Sequence, residues 1–178
     1  MFRSMVAFLM LAFLALAQNS QEPESAAPYF PTPPMVVEKM LQLGEIKPGE
    51  KMFDLGSGDG RIVIMAAKKF KADATGVELD DTLHKQSSEA IRKEGLEHTA
   101  RIIHGDLFKQ DYSSADLITV YLLPESNDKM RPVLEKQLKK GARVVSHDFE
   151  FSGWNAEKIE LIEDDGEGRS HTLYFYRR

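Results

Sequence analysis

The hydrophobic positions of this chain change period along its length, and the changes lay out an alternating order of helices and strands. Met35, Val36, Met40, Leu41 and Leu43 recur at the three- and four-residue spacing of an amphipathic helix, which Gly44 ends. Thr32 is placed to cap that helix, and the prolines after it suit a first turn. Beyond the turn at Pro48-Gly49, Lys51 to Leu55 reads as a short buried strand. Arg61 to Phe70 follows as a helix with Ile62, Met65 and Ala66 inward. Further strands are predicted over Ala74 to Leu79, Ala100 to His104, Ala115 to Leu122 and Ala142 to His147. Asp80 to Gly95 reads as a helix capped by Asp80 or Asp81 and stopped by Gly95. Pro132 to Leu138 reads as another, with its proline near the start and Lys139-Lys140-Gly141 at its end. Ile159 to Ile162 and Thr172 to Tyr176 are a last pair of strands around a turn at Asp165-Gly166.

Strands alternating with helices predict a parallel sheet covered on both faces, and the final pair adds a hairpin. The expected class is therefore α/β: a Rossmann-like three-layer sandwich, with a mostly parallel seven-stranded sheet and one antiparallel edge strand. A length of 178 residues fits one such domain, spanning 29–178.

The first residues follow a different pattern. Arg3 precedes an unbroken apolar run from Met5 to Ala17, too short to span a bilayer. Ala15-Leu16-Ala17 before Gln18 has the form of a cleavage site. Residues 1–17 are expected to be a signal peptide and 18–28 a polar linker. The chain would then be exported or membrane-associated, touching a membrane only through this segment; a start assigned too early would leave it cytoplasmic.

Charge and composition narrow the chemistry. The chain has no cysteine, which excludes disulfides, thiolate zinc sites and cysteine nucleophiles. Its five histidines are scattered and none pairs at metal-ligand spacing, so no metal is expected. A net charge of −5, with lysines interspersed among acids, argues against a nucleic-acid partner. Lys68, Lys69 and Lys71 read as a solvated helix end. No pattern specifies an oligomeric state.

The chemistry gathers at Asp54-Leu55-Gly56-Ser57-Gly58-Asp59-Gly60, between the first strand and the helix it feeds. In a doubly wound sheet, ligands bind at that place. The alternating Gly56, Gly58 and Gly60 depart from the dinucleotide spacing G-x-G-x-x-G, and no phosphate-loop lysine follows. Asp54 and Asp59 would repel a pyrophosphate and suit a cationic ligand.

The run Asp54-x-Gly56-x-Gly58-x-Gly60 resembles the first motif of class I S-adenosylmethionine-dependent methyltransferases, whose loop wraps the methionine end of the cofactor. The resemblance implies S-adenosylmethionine as cofactor and extends to two further acids. Glu78, ending the second strand, resembles the ribose-binding acid, with Asp80 as a fallback; Asp106, after the third, resembles the acceptor for the adenine amino group, with Leu107 and Phe108 beside the ring. Enzymes that methylate adenine or amide nitrogens carry Asn or Asp after the fourth strand. Tyr121-Leu122-Leu123-Pro124 has neither.

Taken together, Tyr29-Phe30-Pro31-Thr32-Pro33, the glycine run with Arg61, and Tyr121 to Pro124 resemble the small lysine methyltransferases of the ATP synthase c-subunit and the adenine nucleotide translocase, and their prokaryotic relatives. One departure is the apparent cleavable signal where those enzymes carry a mitochondrial or membrane targeting segment. The resemblance implies methyl transfer to a lysine of an acceptor protein. A small-molecule acceptor and a non-catalytic cofactor-binding domain are the alternatives. Tyr121 and Glu125 are the candidates for the acceptor channel. Tyr29 and Thr32 join Asp54, Gly56, Ser57, Gly58, Asp59, Gly60, Glu78, Asp106 and Leu107 as candidates around the cofactor.

Overall fold

Short apolar runs become the inner strands here because both faces of the sheet are covered there, so nearly every side chain in those strands is buried. The computed structural model describes residues 29–178, and the predicted signal peptide and linker lie outside the described residues. The elements are α1 (Pro34–Leu43), β1 (Lys51–Leu55), α2 (Arg61–Phe70), β2 (Asp73–Glu78), α3 (Asp81–Lys93), β3 (Ala100–His104), a 3-10 turn (Leu107–Lys109), β4 (Leu117–Val120), α4 (Pro124–Gln137), β5 (Arg143–His147), β6 (Lys158–Ile162) and β7 (His171–Arg177). All four residues of β4 and all five of β5 are buried, as expected for central strands.

The seven strands form one sheet in the order β3-β2-β1-β4-β5-β7-β6. Strands β1 to β5 run parallel, and β7 pairs antiparallel with both β5 and β6. The mixed, mostly parallel sheet is thus as expected, with its antiparallel strand β7 inserted between β5 and the edge strand β6. The chain order reverses between β1 and β4. A crevice opens at that switch point outside the carboxyl ends of the strands.

Two apolar clusters cover the two faces. One packs Val36, Met40, Val63 and Ala66 of α1 and α2 onto Met52 and Leu117. The other packs Met130 and Leu134 of α4 onto Phe53, Ile118 and Val120, with Tyr112 filling the gap. Each fully buried side chain of this size contributes about 1.5–3 kcal/mol.

Two local expectations are corrected. Thr32 does not cap α1. Pro33 is the N-cap residue and Pro34 opens the helix, so Thr32 lies one residue too far out to reach the first free N–H groups. Its hydroxyl faces the His147 ring instead, at 3.2 Å. The fourth helix begins at Pro124, not Pro132. Pro124, followed by the acid Glu125, is the proline that suits a first turn. Pro132 sits inside the helix, where its missing N–H forgoes one backbone hydrogen bond. The helix persists because Met130 and Leu134 on either side are buried in the core.

Candidate active site

The loop after β1 turns sharply enough to need its glycines. Gly58 has φ of +54°, and a Cβ there would lie 2.8 Å from the Tyr29 ring. Gly60 has φ of +78° and is the N-cap residue of α2. Gly56 has φ of +75°, and a Cβ there would lie 3.2 Å from Leu122. The loop floors a cavity of about 470 Å³ at the carboxyl ends of the strands.

Glu78 fixes the loop to β2. Its carboxylate accepts the Gly58 N–H at 2.7 Å on one oxygen and the Asp80 N–H at 2.9 Å on the other. Each oxygen keeps a further lone pair, which suits the paired hydroxyls of a ribose. Asp54 lies deeper, at 2% exposure, and accepts the Thr119 hydroxyl at 2.8 Å. This contact follows from strand register, which places Asp54 beside Thr119. Burial pushes the Asp54 carboxyl up to about 7, with the negative charges of Glu78 and Asp59 adding to the rise and Thr119 opposing it. A buried acid so close to ionisation is ready to gain a cationic partner.

Asp59 is engaged elsewhere. Arg61 donates to both its oxygens, at 3.0 Å from Nε and 2.6 Å from Nη2. Burial would raise the Asp59 carboxyl, but these bonds and the guanidinium charge hold it below its ordinary value. Arg61 also donates from Nη1 to the Thr32 carbonyl at 3.0 Å. It therefore clasps the Tyr29–Pro33 segment across the glycine loop. Of the two loop acids expected to attract a cation, only Asp54 has no basic partner among the described residues.

At the adenine-facing end, Asp106 accepts the Phe108 N–H at 2.9 Å and lies 3.3 Å from Lys109. Leu107 is buried beside it. At the other end, Tyr121 follows β4, donates to Asp148 at 3.3 Å and packs on His147 with ring centroids 3.9 Å apart. Burial, with the Asp148 charge, pushes the Tyr121 phenol up to about 12. It is a neutral hydroxyl at physiological pH, not a phenolate.

Of the candidate residues, Tyr29, Thr32, Asp54, Gly56, Ser57, Gly58, Asp59, Glu78, Asp106, Leu107 and Tyr121 line the cavity. Gly60 and Glu125 do not. Gly60 packs behind the loop against Ser87. Glu125 is exposed in the first turn of α4, where it complements the helix dipole, so the structure does not bring it to the acceptor side. The Ser57 hydroxyl is buried without a partner among the described residues and faces Gly76. Sequence reasoning missed Arg61 as the clasp, although its place directly after the glycine run was a signal. It also missed the meeting of His147, Asp148 and His171, which lie within 4.8 Å of one another. A second trio, Asp81, His84 and His104, gathers on the surface near β3. Both trios join elements remote in sequence, so spacing along the chain gave no hint of them.

A cavity at the switch point, floored by this glycine loop and flanked by acids at the ends of β1, β2 and β3, defines a class I S-adenosylmethionine-dependent methyltransferase. The comparisons narrow the class. The model for the ANTKMT methyltransferase domain matches residues 54–158. A protein-lysine N-methyltransferase from Saccharolobus islandicus (strain REY15A) is 43% identical over 84% of this chain and 92% of that relative. The human lysine N-methyltransferase of the ATP synthase c-subunit is 31% identical over 74% of this chain. This chain spans only 56% of that longer protein. Among solved structures, an RNA methyltransferase from Salinibacter ruber in complex with S-adenosyl-L-homocysteine is 39% identical, with a TM-score of 0.77 over 83% of this chain and 93% of that one. The chain belongs to the ANTKMT methyltransferase family, and its cofactor is S-adenosylmethionine.

Proposed function

We propose that this chain transfers the methyl group of S-adenosylmethionine to the side-chain amine of a lysine in a protein acceptor. The near end-to-end similarity to a relative named for that reaction carries the reading. The site agrees with it. The cavity end beyond β4 offers Tyr121 and Leu122, with exposed Leu123 at its rim, an apolar approach for a long aliphatic side chain. The net charge of −5 favours a basic acceptor over a polyanion such as RNA.

S-adenosylmethionine supplies an electrophilic methyl group on a sulfonium sulfur. In this reading Asp54 faces the cationic methionine end, Glu78 accepts the ribose hydroxyls, and Asp106 with Leu107 borders the adenine. The glycine loop and the Tyr29–Pro33 segment close around the cofactor. Tyr121 orients the incoming amine. That amine must be neutral to attack, whereas a free lysine at pH 7 sits about 3.4 pKa units on the protonated side, roughly 5 kcal/mol. Apolar surroundings lower that barrier by disfavouring the ammonium. Alignment of amine, methyl carbon and sulfur supplies the rest.

The same reading takes 29–178 as the catalytic domain and 1–17 as an export signal. Among the described residues no helix is long and apolar enough to cross a membrane. Mass spectrometry of the N-terminus from the native host tests the signal, and an intact Met1 would overturn it.

The activity test incubates the full chain and tritiated S-adenosylmethionine with protein, RNA and metabolite fractions of the host. Label recovered as methyl-lysine after acid hydrolysis is the expected result. Label confined to RNA or to small molecules would overturn the lysine assignment. Tight cofactor binding without transfer to any fraction would replace the enzyme by a binding domain.

A further inference from the structure

Behind Tyr121 lies a chain of polar groups that runs away from the cavity. The Asp148 oxygen that accepts the Tyr121 hydroxyl lies 3.1 Å from His171 Nδ1 and 3.4 Å from His147 Nε2. The two imidazoles meet at 2.8 Å, His147 Nε2 to His171 Nδ1. The far nitrogen of each ring has its own partner: Thr32 Oγ1 at 3.2 Å for His147, and Asp165 at 3.1 Å for His171. Both rings are buried. A shared metal fits poorly, because two nitrogens on one tetrahedral ion at about 2.05 Å stand about 3.3 Å apart.

The protons can be placed one by one. Asp165 is a carboxylate held by the Glu167 and Arg169 N–H groups, so it can only accept, and His171 Nε2 carries a hydrogen. Burial keeps His147 neutral at physiological pH, its imidazole lowered to about 4. The tautomer of His147 that lets His171 take up a proton carries its hydrogen on Nδ1, donated to the Thr32 hydroxyl, and leaves Nε2 an acceptor. That arrangement leaves one mismatch. His171 Nδ1 then faces two acceptors, the Asp148 oxygen at 3.1 Å and His147 Nε2 at 2.8 Å. One proton added to His171 Nδ1 resolves it, shared between the two.

The backbone is also committed to this arrangement. Asp148 has φ of +59°, a strained value for a residue other than glycine. Its second oxygen is pinned by the Thr172 N–H at 2.9 Å. Strain of this kind holds the free oxygen between Tyr121 and His171. The charged and titratable groups around it are Tyr121 at the end of β4, His147 on β5, His171 on β7, and Asp165 with Arg169 on the β6–β7 loop; Arg169 is itself paired with Asp165 and Glu167.

We propose that Asp148 and His171 form a proton-accepting relay, reached through the Tyr121 hydroxyl, that takes up the proton lost by the acceptor lysine. The proposal rests on the lysine reading above. The lysine ammonium gives a proton to the Tyr121 oxygen as the Tyr121 hydroxyl proton passes to Asp148 and on to His171 Nδ1. The freed amine pair then forms the N–CH3 bond as the S–CH3 bond breaks, its electrons staying on sulfur. His171 ends as an imidazolium between Asp148 and Asp165, and later releases its proton to solvent. Tyr121 touches the substrate in this scheme. Asp148 and His171 act through it, and His147 and Thr32 are positioning residues.

Asp148→Asn is the informative variant, because Asn tolerates a positive φ and keeps an oxygen for the Thr172 N–H. The test measures tritium entering methyl-lysine in host protein extract, for wild type, Asp148→Asn and Tyr121→Phe, between about pH 7 and pH 9.5. Calorimetry gives the S-adenosylmethionine affinity of each. The expected result is a rate loss of about 100-fold at pH 7, the lower end of the range for general base catalysis, with cofactor affinity within about twofold. The loss should shrink about tenfold per pH unit, as solution itself supplies neutral amine. A loss that persists unchanged at pH 9.5, or cofactor affinity that falls in step, would make the cluster structural and overturn the relay. No loss at pH 7 would overturn it equally. A wild type that binds cofactor yet labels no lysine at any pH would instead sink the lysine reading, and the relay with it.

Discussion

Replacing Asp54 by Asn should make the cofactor-free protein more stable, and increasingly so as pH rises. In the folded protein the carboxyl is raised to about 7, chiefly by burial. In the unfolded chain it returns to about 3.9. A raised carboxyl binds more protons folded than unfolded between these values, so stability falls as pH climbs through that window. The difference of about three units corresponds to about 4 kcal/mol once pH is well above 7, and to about 1.5 kcal/mol at pH 5. Asn keeps the oxygen that Thr119 binds at 2.8 Å and removes the ionisable group. Urea unfolding of both proteins at pH 5 and pH 8 isolates the effect, because every other titrating group is common to the two. The Asn variant should gain about 2–3 kcal/mol on wild type between the two pH values. Calorimetry at pH 8 should show weaker S-adenosylmethionine binding by the variant, since the charge that destabilises the empty site is the one the cofactor needs. A stability difference that stays flat from pH 5 to pH 8 would refute the reasoning, placing Asp54 near its ordinary value with water at its carboxylate.

Gly58→Ala should lower cofactor affinity at least tenfold while circular dichroism shows an intact fold; the left-handed backbone costs Ala about 1–2 kcal/mol and its Cβ displaces the Tyr29 ring. Thr32→Val should keep cofactor binding, read by calorimetry, yet change the ¹⁵N shifts of the His147 ring, because only the hydrogen bond to Nδ1 is lost. Arg143→Met should destabilise the protein by about 3–5 kcal/mol in urea unfolding. Its guanidinium is buried between Glu50 at 2.6 Å and the carbonyls of Glu45 and Asp116, and these groups lose their partner together.

Much of the scaffold is legible in local pattern. The strand residues that fail to alternate, such as those of β4 and β5, announce burial on both faces, and the glycine run marks the crevice. Glu78 and Asp106 are readable because one ends β2 and the other follows β3 by two residues, both beside the crevice, a place set by topology. The misreadings share a cause. Pro132 reads as a helix start because proline is a local signal, whereas the burial of Met130 and Leu134 that carries the helix through it is a tertiary one. Thr32 reads as a cap for its nearest helix and instead meets His147, more than a hundred residues away. A shorter separation, 24 residues, still hides the His147, Asp148 and His171 cluster, which exists only because β7 folds back between β5 and β6.

The Arg61 clasp has a kinetic consequence. One guanidinium holds both the floor of the cofactor cavity, through Asp59, and its roof, through the Thr32 carbonyl. Spent cofactor therefore leaves only as fast as that joint yields. Arg61 and Asp59 are about one-third exposed, within reach of dissolved ions. Added salt screens such a pair, so exchange of S-adenosylhomocysteine should quicken with ionic strength. The tempo of turnover would then be set at the rim of the cavity, away from the atoms that react.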